Sequence, residues 1–318
     1  MVEIKEIKSV KLAPFALMTS SINAIIAFIA AIIILIVFGT VAALIPQASI
    51  FGAVITAVGL ALIIIYPISS FFINLSTSFF SALLYNTLVP RLGGIKLGLE
   101  GDDVTEIPVI SFALILASIE AIWAFIIGLF LAAALAPITA LLSSSIPVIS
   151  QGIVNALNST NFTNVTNISN VTIPNGSAVG AIGIIGALFL IIGVPILVFV
   201  LGFIVNALAA IFYNYLATRV SKVKLNFAAI SGTLYELKSI PPVPTALALA
   251  VVFAIFGFLQ GLGRLIALSA AGNPLGGVGA LIGSIIYAFV MYFIIVALAA
   301  IFYNYLAPRI GGIKLNLE

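Results

Sequence analysis

Glu120 is the one charged residue between positions 107 and 218, and its setting invites chemistry more than any other in the chain. It lies 11 residues past Val109, about 16 Å along a helix at 1.5 Å per residue, near the middle of a stretch long enough to cross a bilayer. A carboxyl at that depth is costly and takes a proton, a cation or a polar partner. Aligned by internal similarity, Glu120 superposes on Asn23 and Phe253, so the three are read as one intramembrane level facing a common axis. Either this level is an ion or proton site, or the acid is hydrogen-bonding glue toward Asn23 or a neighbouring serine. Glue is favoured, because a single carboxyl is present and no basic residue shares its depth. Arg264, about 20 residues into the fifth apolar span, falls at the outer headgroups, where a long side chain snorkels.

Little other chemistry is open. The chain has no Cys and no His, which removes disulfides, thiol nucleophiles, Cys or His metal ligands and histidine proton shuttles. It contains no GxxxxGKS/T loop, no HExxH and no convincing Ser/Lys dyad. No catalytic residue, cofactor or metal site is therefore assigned, and the protein is read as not an enzyme. The densest acidic run, Glu100, Asp102, Asp103 and Glu106, is read as a solvated linker ahead of a divalent-cation site.

The most specific pattern is a motif written three times: LYNTLVPRLGGIKL at 84–97, FYNYLATRVSKVKL at 212–225 and FYNYLAPRIGGIKL at 302–315. Starts recur too, Glu6-Ile7-Lys8-Ser9-Val10 as Glu236-Leu237-Lys238-Ser239-Ile240. Three tandem copies follow, 1–100, 101–229 and 230–318, each of two spans. The motif residues Tyr85, Asn86, Arg91, Tyr213, Asn214, Arg219, Tyr303, Asn304 and Arg309 are assigned to the cytoplasmic interface. There a tyrosine anchors with its hydroxyl in water, an asparagine satisfies helix-end carbonyls and an arginine meets lipid phosphate.

These starts and ends resemble a family of two-span transmembrane domains of unknown function, known from actinobacterial membrane proteins, here in three tandem copies. The resemblance implies the topology and supplies no activity. Copy three fits its YNxxAxxxGGxxVxL ending best and copy one nearly as well, whereas copy two has Ser221-Lys222 in place of the glycine pair.

The elements that carry these residues follow from composition. Of 318 residues 63% are hydrophobic and 7% charged, against about 25% charged in a soluble domain, so the fold class is an all-α polytopic membrane protein. Eleven of 12 Lys and Arg fall in four short segments, and the stretches between them are each long enough for two crossings. The positive-inside rule then gives six helices in a multi-pass cell-membrane protein, with both termini cytoplasmic. Because every copy begins and ends inside, the copies share one orientation, and a pseudo-threefold axis along the membrane normal is expected.

After each motif the residues alternate, as in Ile95, Leu97 and Leu99 against Lys96, Gly98 and Glu100, which predicts short cytoplasmic β-strands, either joined as a small sheet or ring or left as frayed juxtamembrane coil. The apolar runs ahead of Pro67 and Pro195 are read as kinked extensions or re-entrant pieces. Outward turns are expected at Pro46-Gln47 and at 271–274, and a glycosylated outer loop at 150–178. That loop carries sequons at Asn158, Asn161, Asn164, Asn167, Asn170 and Asn175, so the protein is read as a glycoprotein.

Expected partners are the lipid bilayer, anionic lipid headgroups and other membrane or envelope proteins, and not nucleic acid, since the basic segments are short. Two functions stay open, a non-catalytic membrane scaffold or accessory subunit, and an ion or proton channel or transporter centred on Glu120. The scaffold is favoured, because transporters carry broken helices and several midplane polar groups.

Overall fold

The computed structural model describes residues 2–44, 49–159 and 183–318. Six helices long and apolar enough to cross a membrane lie among them. They are α1 (Leu12–Leu44), α2 (Ser49–Leu92), α3 (Val109–Ser159), α4 (Gly183–Val220), α5 (Pro242–Ala270) and α6 (Pro274–Ile310). The first helix of each copy opens alike: Lys11, Pro108 and Pro241 carbonyls accept the amides of Phe15, Phe112 and Thr245. Proline suits this entry, because its missing N–H is one the first turn leaves unpaired anyway. In copies one and three the second helix stops at a glycine with positive φ, Gly93 at 81° and Gly311 at 85°.

The strands are β1 (Glu3–Val10), β2 (Lys96–Glu100), β3 (Asp103–Glu106), β4 (Val223–Lys224), β5 (Asn226–Ser231), β6 (Leu234–Ser239) and β7 (Lys314–Leu317). They join in one seven-stranded antiparallel sheet of order β4-β3-β2-β1-β7-β6-β5. The all-α description is thus incomplete. Isolated strand pairs are marginal, and pairing every copy's strands with those of another copy removes that weakness. The outer strands β4 and β5 are consecutive in the chain, separated by Leu225 alone. Alternation holds in part: Leu97, Leu99, Leu315 and Leu317 are buried while Lys96 and Glu100 are exposed, but Gly98, expected on the exposed face, is buried.

Two compact units are distinguished, one of residues 1–115 and 205–318 and the other of 116–204. In the first, Leu97, Leu99 and Val104 of the sheet pack with Tyr213 and Ala217 of α4 and Ala248 and Val252 of α5. A second cluster joins Met18 of α1, Leu237 of β6, and Tyr303 and Ala307 of α6. Each buried leucine there is worth about 2 kcal/mol of removal from water. Helices α5 and α6 approach through small residues. A Cβ added at Gly257 would stand 2.6 Å from the Ser284 carbonyl oxygen, and one at Gly261 2.9 Å from the Leu281 Cα. In the second unit Gly128 does the same, with the Leu190 carbonyl 2.2 Å from where its Cβ would be.

The runs ahead of Pro67 and Pro195 are helical extensions, α2 running unbroken for 44 residues through Pro67 and Pro90 and α4 running through Pro195. A proline deletes one intrahelical bond, and the apolar run on either side carries the helix on. Before Pro195 the wider π turn at Phe189–Gly193 takes up the proline's clash with the preceding turn. Helix α3 also continues through Ser159, so residues 150–159 of the expected outer loop are helical. The 271–274 turn is as read, with Gly272 at φ 82° and the Asn273 side chain capping α6 through the Gly276 amide at 2.9 Å. Pro46-Gln47 lies outside the described residues.

Candidate functional site

The hydroxyls of the motif tyrosines are bonded to backbone and not left to water. Tyr85, Tyr213 and Tyr303 are 6%, 1% and 2% exposed. Each hydroxyl donates to a strand carbonyl of its own copy: Tyr85 to Ile7 at 2.6 Å, Tyr213 to Val104 at 2.6 Å and Tyr303 to Leu237 at 2.5 Å. Each also accepts the amide ten residues on, from Ile95 at 2.9 Å, Val223 at 3.0 Å and Ile313 at 3.0 Å. The ring therefore sits in the corner between its copy's first and last strands, where both would otherwise leave buried polar groups unpaired.

The adjacent asparagine completes the arrangement. Asn86 accepts the amide of Val10 and donates to its carbonyl, both at 2.8 Å. Asn214 does so for Ile107, and Asn304 for Ile240. A carboxamide offers a donor and an acceptor side by side, so it stands in for a neighbouring strand where β1, β3 and β6 run out before a helix. Four hydrogen bonds per copy make one bracket, and the bracket occurs three times.

An acid precedes each held carbonyl. Glu6 accepts the Gly94 amide at 2.7 Å and pairs with Lys8 at 3.1 Å. That amide, with smaller help from the lysine, holds the Glu6 carboxyl below the usual range. Glu236 accepts the Gly312 amide at 2.8 Å and meets Lys238 at 2.7 Å, and the Lys238 ammonium is the larger cause of its lowered pKa. In copy two the matching acid is Asp103, and the residue at the glycine position, Lys222, offers an ammonium at 3.8 Å, joined by Lys224 at 3.1 Å. Facing residues agree across copies, with Glu6, Asp103 and Glu236 opposite Lys96, Lys224 and Lys314. The acidic run read as a linker thus lies mostly in strands, with Glu100 ending β2, Asp103 and Glu106 in β3 and Asp102 in the turn between them, and Glu100 also meets Lys222 at 3.9 Å.

Joins between copies share a register as well. Gly98 faces Glu106, Asn226 faces Ser239 and Asn316 faces Ser9. At the last two, the asparagine donates to the serine hydroxyl at 2.8 Å and 2.7 Å.

Deeper in the helices, Asn23, Glu120 and Phe253 lie sixteen residues past Ile7, Val104 and Leu237. Two of them turn to their own hairpin partner. The Phe253 ring stacks on Tyr292 of α6 at 3.5 Å and 3°. The Glu120 carboxylate occupies the space beside Gly202 of α4, 2.2 Å from where a Cβ would be. Tyr292 and Gly202 are each eleven residues before their bracket tyrosine, and the corresponding residue of copy one is Asn74. Thr19 donates to Ser78, which donates to Asn74, at 2.9 Å and 3.0 Å, so Asn23, one turn beyond Thr19, stands level with Asn74. Sequence reasoning missed these partners, although their fixed distance from each tyrosine was a usable signal.

The motif arginines Arg91, Arg219 and Arg309 are exposed in the last helical turns. Arg264 is exposed and reaches the Ser284 hydroxyl at 3.5 Å. Asn158 falls in α3, and Asn161, Asn164, Asn167, Asn170 and Asn175 lie outside the described residues. Compared with family models, curated proteins and solved structures, the chain matches none.

Proposed function

We propose that the chain is a non-catalytic scaffold or accessory subunit of the cell membrane. In this reading three two-helix copies of like orientation surround one axis along the membrane normal, with the sheet and both termini cytoplasmic. The scaffold engages other membrane or envelope proteins.

The observation that carries the reading is the threefold bracket: the chain's recurring polar side chains are committed to its own backbone, which is the work of a frame. Strand pairing supports the axis. The last strands of copies one and three, β2 and β7, each pair with their own first strand and with the first strand of the following copy in cyclic order, and in copy two these two pairings are divided between β4 and β5. Phe253 and Glu120 each meet their own hairpin partner, Tyr292 and Gly202, as residues serving helix packing do.

A channel has one observation in its favour, the mid-helix carboxylate of Glu120 beside the missing Cβ of Gly202. Flux through liposomes holding the full chain separates the two. The scaffold predicts no pH-dependent ion flux from either wild type or Glu120→Gln, and a wild-type current abolished by Gln would replace it with the channel. Orientation is tested on this Cys-free chain by single cysteines. An impermeant reagent should modify Ser159→Cys and spare Asn316→Cys in intact cells, and the reverse sinks the cytoplasmic sheet.

A further inference from the structure

Each copy closes its second helix with the same exposed pair, an arginine and then an aliphatic residue: Arg91-Leu92, Arg219-Val220 and Arg309-Ile310. The pair follows its bracket tyrosine by six and seven residues, so each arginine stands on a helix end that the tyrosine ties to the sheet. Charge is unevenly matched there. Lysines meet the carboxylates of the sheet, whereas among the described residues no arginine is within ion-pair distance of a carboxylate. Arg309 instead lies over the exposed Tyr305 ring, 3.7 Å from its centroid, and donates to the Tyr305 carbonyl. Each arginine is thus exposed next to an exposed aliphatic residue at the end of a helix apolar enough to cross a membrane. Its planar fork fits paired phosphate oxygens.

We propose that Arg91, Arg219 and Arg309 are three equivalent sites, each holding the phosphate of one anionic phospholipid in the leaflet beside the sheet. Leu92, Val220 and Ile310 contact the lipid's apolar part. This rests on the scaffold reading and gives the scaffold a bound lipid partner. A lipid suits the pair better than a free anion, since a soluble phosphate would leave the aliphatic residue in water. Exposed Lys11 and Lys96 add long-range attraction to an anionic surface.

The test is native mass spectrometry of the full chain in detergent with added phosphatidylglycerol or phosphatidylcholine. Wild type should retain three phosphatidylglycerol molecules in preference to phosphatidylcholine. Each of Arg91→Gln, Arg219→Gln and Arg309→Gln should lose one, and the triple variant all three. Arg→Lys, which keeps charge without the fork, should bind more weakly than wild type, and inorganic phosphate should displace nothing. Equal retention of both lipids, an unchanged number in the Gln variants, or displacement by inorganic phosphate overturns the proposal. The single variants keep it testable if the triple variant fails to fold. A wild-type ion current would sink the scaffold whatever the lipid number, so the two failures are distinguishable.

Discussion

Copies one and three leave their second helix through a glycine pair and copy two through Ser221-Lys222, yet all deliver the next amide to the tyrosine hydroxyl at 2.9 to 3.0 Å. Gly93 and Gly311 turn with positive φ, which brings the following glycine so near a strand that a Cβ would stand 2.2 Å from the Ile7 or Leu237 carbonyl oxygen. Ser221 stays extended at φ −159° and donates to the Pro244 carbonyl at 2.8 Å, so Lys222 has room for its side chain. A second exchange lies one turn earlier. Pro90 and Pro308 have no N–H for the carbonyl of Asn86 or Asn304, four residues back. In copy two a π turn sends the Thr218 amide to Tyr213 instead, and the Thr218 hydroxyl takes the Asn214 carbonyl at 2.7 Å. The hydrogen bonds are the fixed quantity, and the backbone solutions are interchangeable as sets.

The largest expected effect is at the close approach. Gly312→Ala drives a methyl into the carbonyl that Tyr303 holds and should cost about 3 kcal/mol, whereas Lys222→Ala at the matching position should cost about 1 kcal/mol or less. Thermal unfolding in detergent compares them, and equal losses would break the distinction between the two exits. Next come Tyr303→Phe and Tyr213→Phe, each leaving a buried carbonyl and a buried amide unpaired, at about 2 kcal/mol apiece. A clear inequality would mean the brackets differ in kind.

Thr218→Pro sharpens the comparison, because it gives copy two the residue its neighbours carry. It removes the Thr218 N–H hydrogen bond at the edge of the π turn and the hydroxyl bond to Asn214, so a loss of about 1 to 2 kcal/mol is expected against the 3 kcal/mol or so of an ordinary mid-helix proline. The smallest effect is in acid. Glu6 and Glu236 have folded pKa values below the ordinary 4.5, so their contribution is present above that pH and lost as pH falls through the folded values. Melting temperature should drop below pH 4.5, and Glu6→Gln with Glu236→Gln should flatten that drop while melting lower at neutral pH.

Hydropathy and charge spacing were enough to read six helices, because a bilayer-spanning run needs only length and apolarity. Alternation after each motif gave the strands their faces. It could not give their neighbours, since pairing β1 with β7 depends on residues 307 apart meeting. The Tyr-Asn pairs were misread for a related reason: an aromatic near a helix end suits water or a strand corner equally by type, and only a backbone brought to it decides. Copy two's first strand, Asp103–Glu106, was read as a linker because its residues share little with Glu6 to Val10 and its separation from Asn214 differs from the separations in the other copies. The Glu120 niche was invisible, because it consists of an atom that Gly202 lacks.

The join of β1 to β7 also sets a schedule. The Ser9 hydroxyl receives its bond from Asn316, and the Glu6 and Glu318 backbones exchange hydrogen bonds. At roughly 5 to 20 residues per second of synthesis, the partner of β1 arrives about 15 to 60 s after β1 itself. Throughout that wait one side of β1 is an open strand edge, the kind that recruits stray chains. Lys5 and Lys8, spaced along it, are the charges that discourage such pairing until β7 arrives.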